Sequence, residues 1–166
     1  MSSAAFAALA TGVLAATVID LRSRRIPNAL TATMSGIGVG LAATGVSGVS
    51  LGAAMLGFVI GFALMLPGHA LGATGAGDVK LMAAVGAILG PANVVTAFLL
   101  TAIAGGILAL AVATRRRRLA ATFAGTGRLI AGPAGARREI ETAGKASRFA
   151  YGPAIAVGSI LAALIG

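Results

Sequence analysis

Residues 79–113 read VKLMAAVGAILGPANVVTAFLLTAIAGGILALAVA. The stretch is apolar almost throughout and is interrupted at Gly90-Pro91. About 20 consecutive apolar residues cross a bilayer as a helix. Proline lacks the N–H that a continuing helix needs. The stretch therefore divides into a short run, 79–90, and a longer one, 92–113. Working outward, four more apolar runs appear, at 4–19, 29–46, 50–66 and 150–166. This pattern predicts an all-α, polytopic membrane bundle of about six transmembrane helices, with residues 1–166 forming one domain. Runs four and six are short for a span, and run four is expected to lie partly buried inside the bundle.

Composition agrees. The chain is 58% hydrophobic and 10% charged, with a mean hydropathy of +0.98. A soluble domain carries about 25% charged residues, so this surface is not built for water. The 25 glycines suit helices that approach closely in lipid, where packing drives association. Pairs four apart occur at Gly36/Gly40, Gly57/Gly61 and Gly86/Gly90, each a candidate helix contact or a product of glycine bias. With no cysteine, one histidine (His69) and four acids, no metal site and no cofactor are expected. The net charge of +9 is assigned to orientation and anionic lipid rather than to nucleic acid.

The charges give an orientation. Arg22, Arg24 and Arg25 lie between runs one and two, and Lys80 opens run four. The other basic residues, from Arg115 to Arg148, lie between runs five and six. With six spans all thirteen fall on one side, and dropping any single span scatters them. By the positive-inside rule that side is the cytoplasm, and both termini are outside. Run one lacks a basic region before it, which argues against a cleaved signal peptide. A basic cytoplasmic loop is expected at about 114–149. It either carries an interfacial amphipathic helix around 136–148 or is a flexible linker.

Glu139 and Glu141 lie in that loop, where acids cost little. Asp20 and Asp78 instead border apolar runs, where a charge calls for a reason. The topology delivers both to the cytoplasmic face, with residues 67–78 as the loop before run four. Two close carboxylates share a proton. The ionised one can activate water toward a peptide carbonyl, while the protonated one donates to the carbonyl oxygen. Around Asp78 the chain reads Gly72-Ala-Thr-Gly75-Ala-Gly77-Asp78-Val-Lys80-Leu81. Its glycines allow unusual dihedrals and close approach of a substrate strand. The pattern is not the phosphate loop G-x-x-x-x-G-K-[ST]. Taken singly, Asp78 could be only a helix cap, and Asp20 only an i,i+4 partner of Arg24. A helix N-terminus favours Asp78 as the anion, whereas the arginines after Asp20 push the other way.

Gly75-Ala-Gly77-Asp78-Val-Lys80-Leu81 resembles the GxGDxKL motif of the type IV prepilin peptidases, a family of GxGD intramembrane aspartyl proteases. Asp20-Leu-Arg-Ser-Arg-Arg-Ile-Pro-Asn28 resembles that family's first-aspartate region, and Tyr151-Gly-Pro-Ala154 its aromatic-Gly-Pro pattern. The resemblance implies that Asp20 and Asp78 are the catalytic pair. Gly75, Gly77 and Lys80 support the motif or the approach of substrate. It implies a substrate with a short basic leader before an apolar helix, cleaved at the cytoplasmic face of the inner membrane. It also implies the lipid bilayer and pilus assembly proteins as partners. Larger members carry an N-terminal cytoplasmic insertion with paired cysteines and methylate the new N-terminus. This chain has neither the insertion nor the cysteines, so peptidase activity without methyltransferase activity is expected. The short form looks most like the peptidases of tight-adherence (Flp) pilus systems. Archaeal preflagellin peptidases are similarly short. Presenilin-like proteases pair GxGD with Tyr-Asp, whereas Ile19 precedes Asp20 here. The reading from another class is a small proton-coupled transporter with the two aspartates as a relay.

Other residues have plainer readings. Arg115 to Arg118 read most simply as a topology anchor at the headgroups, with binding of an acidic partner such as a pilus assembly protein as the alternative. His69 reads most simply as a solvated loop histidine, with tuning of the aspartates as the alternative. Pro27 and Asn28 end one helix and start the next. Phe149 and Tyr151 fit an interfacial anchor.

Overall fold

The computed structural model describes residues 1–115 and 151–166; of residues 112–115 it describes the backbone only. The described chain is all-α. Helix α1 runs Ser3–Ser23, α2 Asn28–Ala43, α3 Leu51–Ala70, α4 Ala76–Arg115 and α5 Gly152–Ile165. Serine hydroxyls start two of them: Ser2 accepts from the Ala5 N–H (3.3 Å) and Ser50 from the Ala53 N–H (3.2 Å). Each satisfies a donor that the first turn leaves unpaired.

Helix α4 is two helices joined at a break. Gly90 has φ 79° and ψ 177°, outside any helical region, and Pro91 follows. The chain reverses there. A Cβ placed on Gly61 of α3 would meet the Met82 carbonyl oxygen and Val94 Cγ2 together. Those residues would stand about 18 Å apart along a straight helix. The segments before and after Gly90 therefore run back along the same face of α3, as the division at Gly90-Pro91 predicts.

The first segment is the centre of the molecule. Every residue from 81 to 90 is buried, with α2 against it at Gly38 and α3 at Gly57 and Gly61. The run expected to be partly buried, 79–90, is buried throughout except at Lys80. Small residues make the enclosure possible. A Cβ on Gly57 or on Gly86 would strike the other's backbone, so α3 and α4 touch main chain to main chain. Gly36 and Gly40 meet nothing and make no such contact. The outward faces carry the large side chains, among them Leu14, Met55, Val59, Leu99, Ile103 and Leu161. A protein with so many large apolar side chains on its outside is built for lipid.

Three helices, Ser3–Ser23, Leu51–Ala70 and Ala76–Ala111, are long and apolar enough to cross a membrane. Helices α2 and α5, of 16 and 14 residues, are shorter. They reach about 24 and 21 Å, against a hydrocarbon core of about 30 Å. The described residues hold six helical segments, of which length and apolarity mark three helices as spans. Six crossings is a proposal taken from the charge pattern. From residue 116 the basic loop, with its expected helix at 136–148 and Phe149, lies outside the described residues.

Two boundaries differ from expectation. Helix α3 does not stop at residue 66 but passes Pro67 to Ala70, leaving 71–75 as the connection. Proline lacks the donor but keeps its acceptor, and the Leu71 N–H bonds the Pro67 carbonyl at 3.0 Å. His69 therefore ends a helix rather than sitting in a loop. Helix α1 continues one turn past Ile19 to Ser23. Arg24, in the left-handed region at φ 52°, then closes it by donating its N–H to the Asp20 carbonyl (2.8 Å). A left-handed residue is a common way to end a helix.

Candidate active site

The buried positions of α1 are Ala5, Leu9, Gly12, Val13, Ala16 and Asp20. Their spacing of three and four puts them on one face. Asp20 ends that stripe, so the helix aims it into the bundle instead of at lipid. It is 6% exposed. Its Oδ2 accepts the Gly152 N–H at 2.9 Å, at the first residue of α5. The free N–H groups of a helix start favour an anion there. Gly152 has no room for a side chain: a Cβ would lie 2.9 Å from Asp20 Oδ2 and 3.1 Å from its Cβ.

Asp78 is the third residue of α4 and is 8% exposed. Its Oδ2 accepts the Gly75 N–H at 2.8 Å. This reaching back from the third helical position is half of a capping box. The plain reading of Asp78 as a helix cap is thus part of what the residue does, though Gly75 holds the capping position itself. Asp20 and Asp78 lie close enough for the charge of one to act on the other. A helix start therefore serves each carboxylate, α5 for Asp20 and α4 for Asp78. The expected preference for Asp78 as the anion loses its basis in that asymmetry.

The two aspartate motifs are joined at further points. A Cβ on Gly77 would lie 3.0 Å from Ile26 Cβ and 3.4 Å from the Ile26 backbone. The close approach that this glycine allows is taken by the chain itself. Its backbone is ordinary, and so is that of Gly75; the positive φ of this connection belongs to Gly72, at 75°. Lys80 Nζ donates to Asn28 Oδ1 at 2.8 Å. Pro27 and Asn28 do start α2, as expected. Asn28 and Lys80 also line a groove of about 410 Å³ with Thr31, Ala32, Ser35, Phe58 and Phe62. Tyr151 is half-buried, with its ring against Gly105 and near enough to Asp78 to sense its charge. It packs into the site more than an interfacial anchor would. The sequence flagged Tyr151-Gly152-Pro153 by resemblance, but nothing in it showed that the Gly152 amide meets Asp20.

No curated protein and no solved structure matches the chain. A family model does match it, over residues 7–110, which include both aspartates and Lys80. A membrane bundle that buries Asp20 and Asp78 together, within a span matched by that model, belongs to the type IV leader peptidase family.

Proposed function

We propose that this chain is an intramembrane aspartyl endopeptidase that removes the leader of Flp-like type IV prepilins. Asp20 and Asp78 are its catalytic pair. The observation that carries the reading is that the chain's two aspartates, from α1 and α4, are both buried and within electrostatic reach of each other. Membership of a leader peptidase family supplies the reaction class.

In the proposed reaction one carboxylate is ionised and the other protonated, because close carboxylates do not both ionise easily. The ionised one takes a proton from water as the water attacks the scissile carbonyl. The protonated one donates to the carbonyl oxygen, and a proton then passes to the departing amine. Fixed N–H donors at Gly152 and Gly75 keep both carboxylates oriented, so little reorganisation is needed at the moment of reaction. The chain has no cysteine, in keeping with cleavage without N-methylation. We assign six crossings of the inner membrane, both termini outside and the aspartates near the cytoplasmic face. That arrangement collects all thirteen basic residues on one side, as the positive-inside rule requires.

The test is co-expression with a tagged Flp-type prepilin. Wild type removes the leader. Asp20→Asn and Asp78→Asn each accumulate in the membrane and leave the precursor uncut. Normal cleavage by either variant would sink the pair mechanism.

A further inference from the structure

Asp20 and Asp78 stand on helices that barely touch each other. Helix α1 packs mainly on α5, and α4 mainly on α3 and α5. The separation of the two carboxylates is therefore set indirectly. One tie runs through α5, where the Gly152 N–H holds Asp20. A second runs through the connection between α1 and α2. That connection leaves α1 at Arg24 and passes Ile26, buried against Gly77. It ends at Asn28, whose Oδ1 accepts from Lys80 Nζ at 2.8 Å.

The Asn28–Lys80 bond joins residues 52 positions apart, whereas most side-chain bonds described stay within five. Lys80 lies two residues after Asp78, on the first turns of α4. Asn28 lies eight residues after Asp20, at the start of α2. The connection is short and stiff. Arg24 holds a left-handed conformation, and Pro27 sits at φ −64°, a value that its ring fixes. A tether at Asn28 is thus felt at the end of α1.

We propose that Lys80 and Asn28 form a positioning pair, which fixes the end of α1 against the start of α4 and so sets the spacing of Asp20 and Asp78. This rests on the assignment of those two as the catalytic pair. In this role Lys80 acts through the placement of Asp20 and Asp78 rather than on the reacting atoms. Its place beside the groove of Phe58 and Phe62 gives a competing role, direct contact with substrate. The two roles separate kinetically, because misplaced catalytic groups lower kcat while a lost substrate contact raises KM.

The experiment uses the full chain in lipid nanodiscs with a tagged Flp-type prepilin. It compares wild type, Lys80→Met, Asn28→Leu, the double variant and Asn28→Asp. Small displacements of catalytic groups cost up to about a hundredfold in rate. Lys80→Met and Asn28→Leu are each expected to lower kcat about tenfold with KM within about twofold. The double variant falls no further than the singles, since either one already removes the bond. Asn28→Asp keeps the acceptor and retains at least about half of kcat. A normal kcat in Asn28→Leu, multiplied losses in the double variant, or a loss confined to KM would each overturn the proposal. Asp20→Asn and Asp78→Asn serve as controls. If either still cleaves, the catalytic assignment fails. If both are inactive and the Asn28 and Lys80 variants are normal, the positioning pair alone fails.

Discussion

Asp20 and Asp78 stand out in the sequence as candidate site residues because an acid at the edge of an apolar run is costly enough to need a cause. What holds them could not. Every residue but proline has an N–H, so no residue type announces that Gly152 will meet a carboxylate 132 positions earlier. The same holds for Ile26 against Gly77, which depends on where two segments come to rest. Asn28 and Lys80 were each visible in the sequence, the one as a helix start and the other as a motif lysine, but their bond is tertiary. Gly152 carries a sharp prediction. Gly152→Ala places a methyl 2.9 Å from Asp20 Oδ2, so the carboxylate or α5 must shift. Leader removal should fall at least about tenfold while the protein still reaches the membrane. Gly36→Ala is the control. A Cβ there meets nothing. Alanine is favoured over glycine within a helix by about 1 kcal/mol, so cleavage should be unchanged.

Among elements, the contact of α3 with the two segments of α4 governs the bundle. The sequence revealed the break at Gly90-Pro91, because a glycine and a proline together end a helix in either reading. It did not reveal that α3 passes Pro67, since proline ends a helix in some contexts and is tolerated in others. Nor did it separate Gly57, which touches Gly86, from Gly36, which touches nothing. Spacing alone is shared by both. Gly57→Leu should destabilise the protein strongly, because its side chain would enter the Gly86 backbone. A loss of about 1–3 kcal/mol is expected for such overpacking. Gly90→Ala should cost a similar amount, since Gly90 combines φ 79° with an extended ψ. That region belongs essentially to glycine. The chain has no tryptophan, so stability is best followed as the size-exclusion thermostability of a fluorescent-protein fusion. Unchanged midpoints would show that the helices separate more readily than this packing implies.

For the whole molecule, the all-α class and the membrane setting were plain from composition, because lipid removes the need for a charged surface. The number of crossings follows less directly. A central helix wrapped in protein need not match the bilayer in length, and α2 and α5 are short. The native chain has no cysteine, so single substitutions report topology cleanly. With the proposed orientation, Thr44→Cys reacts with an impermeant maleimide on intact cells. Ser23→Cys and Ala73→Cys react only after the membrane is opened. The reverse pattern would invert the bundle and move the aspartates to the other face.

The bond between Gly152 and Asp20 also imposes an order on biosynthesis. A ribosome adds about 5–20 residues per second, so Asp20 emerges on the order of ten seconds before its donor is made. Drawing an ionised carboxylate into a bundle with no donor is unfavourable. The seat that the bundle offers to the end of α1 is therefore complete only once α5 has been made. A nascent chain halted before residue 152 already contains both aspartates, yet lacks the amide that secures one of them. On the proposed assignment of the catalytic pair, a chain halted before residue 152 should leave a prepilin uncut, and completing α5 is the step that arms it.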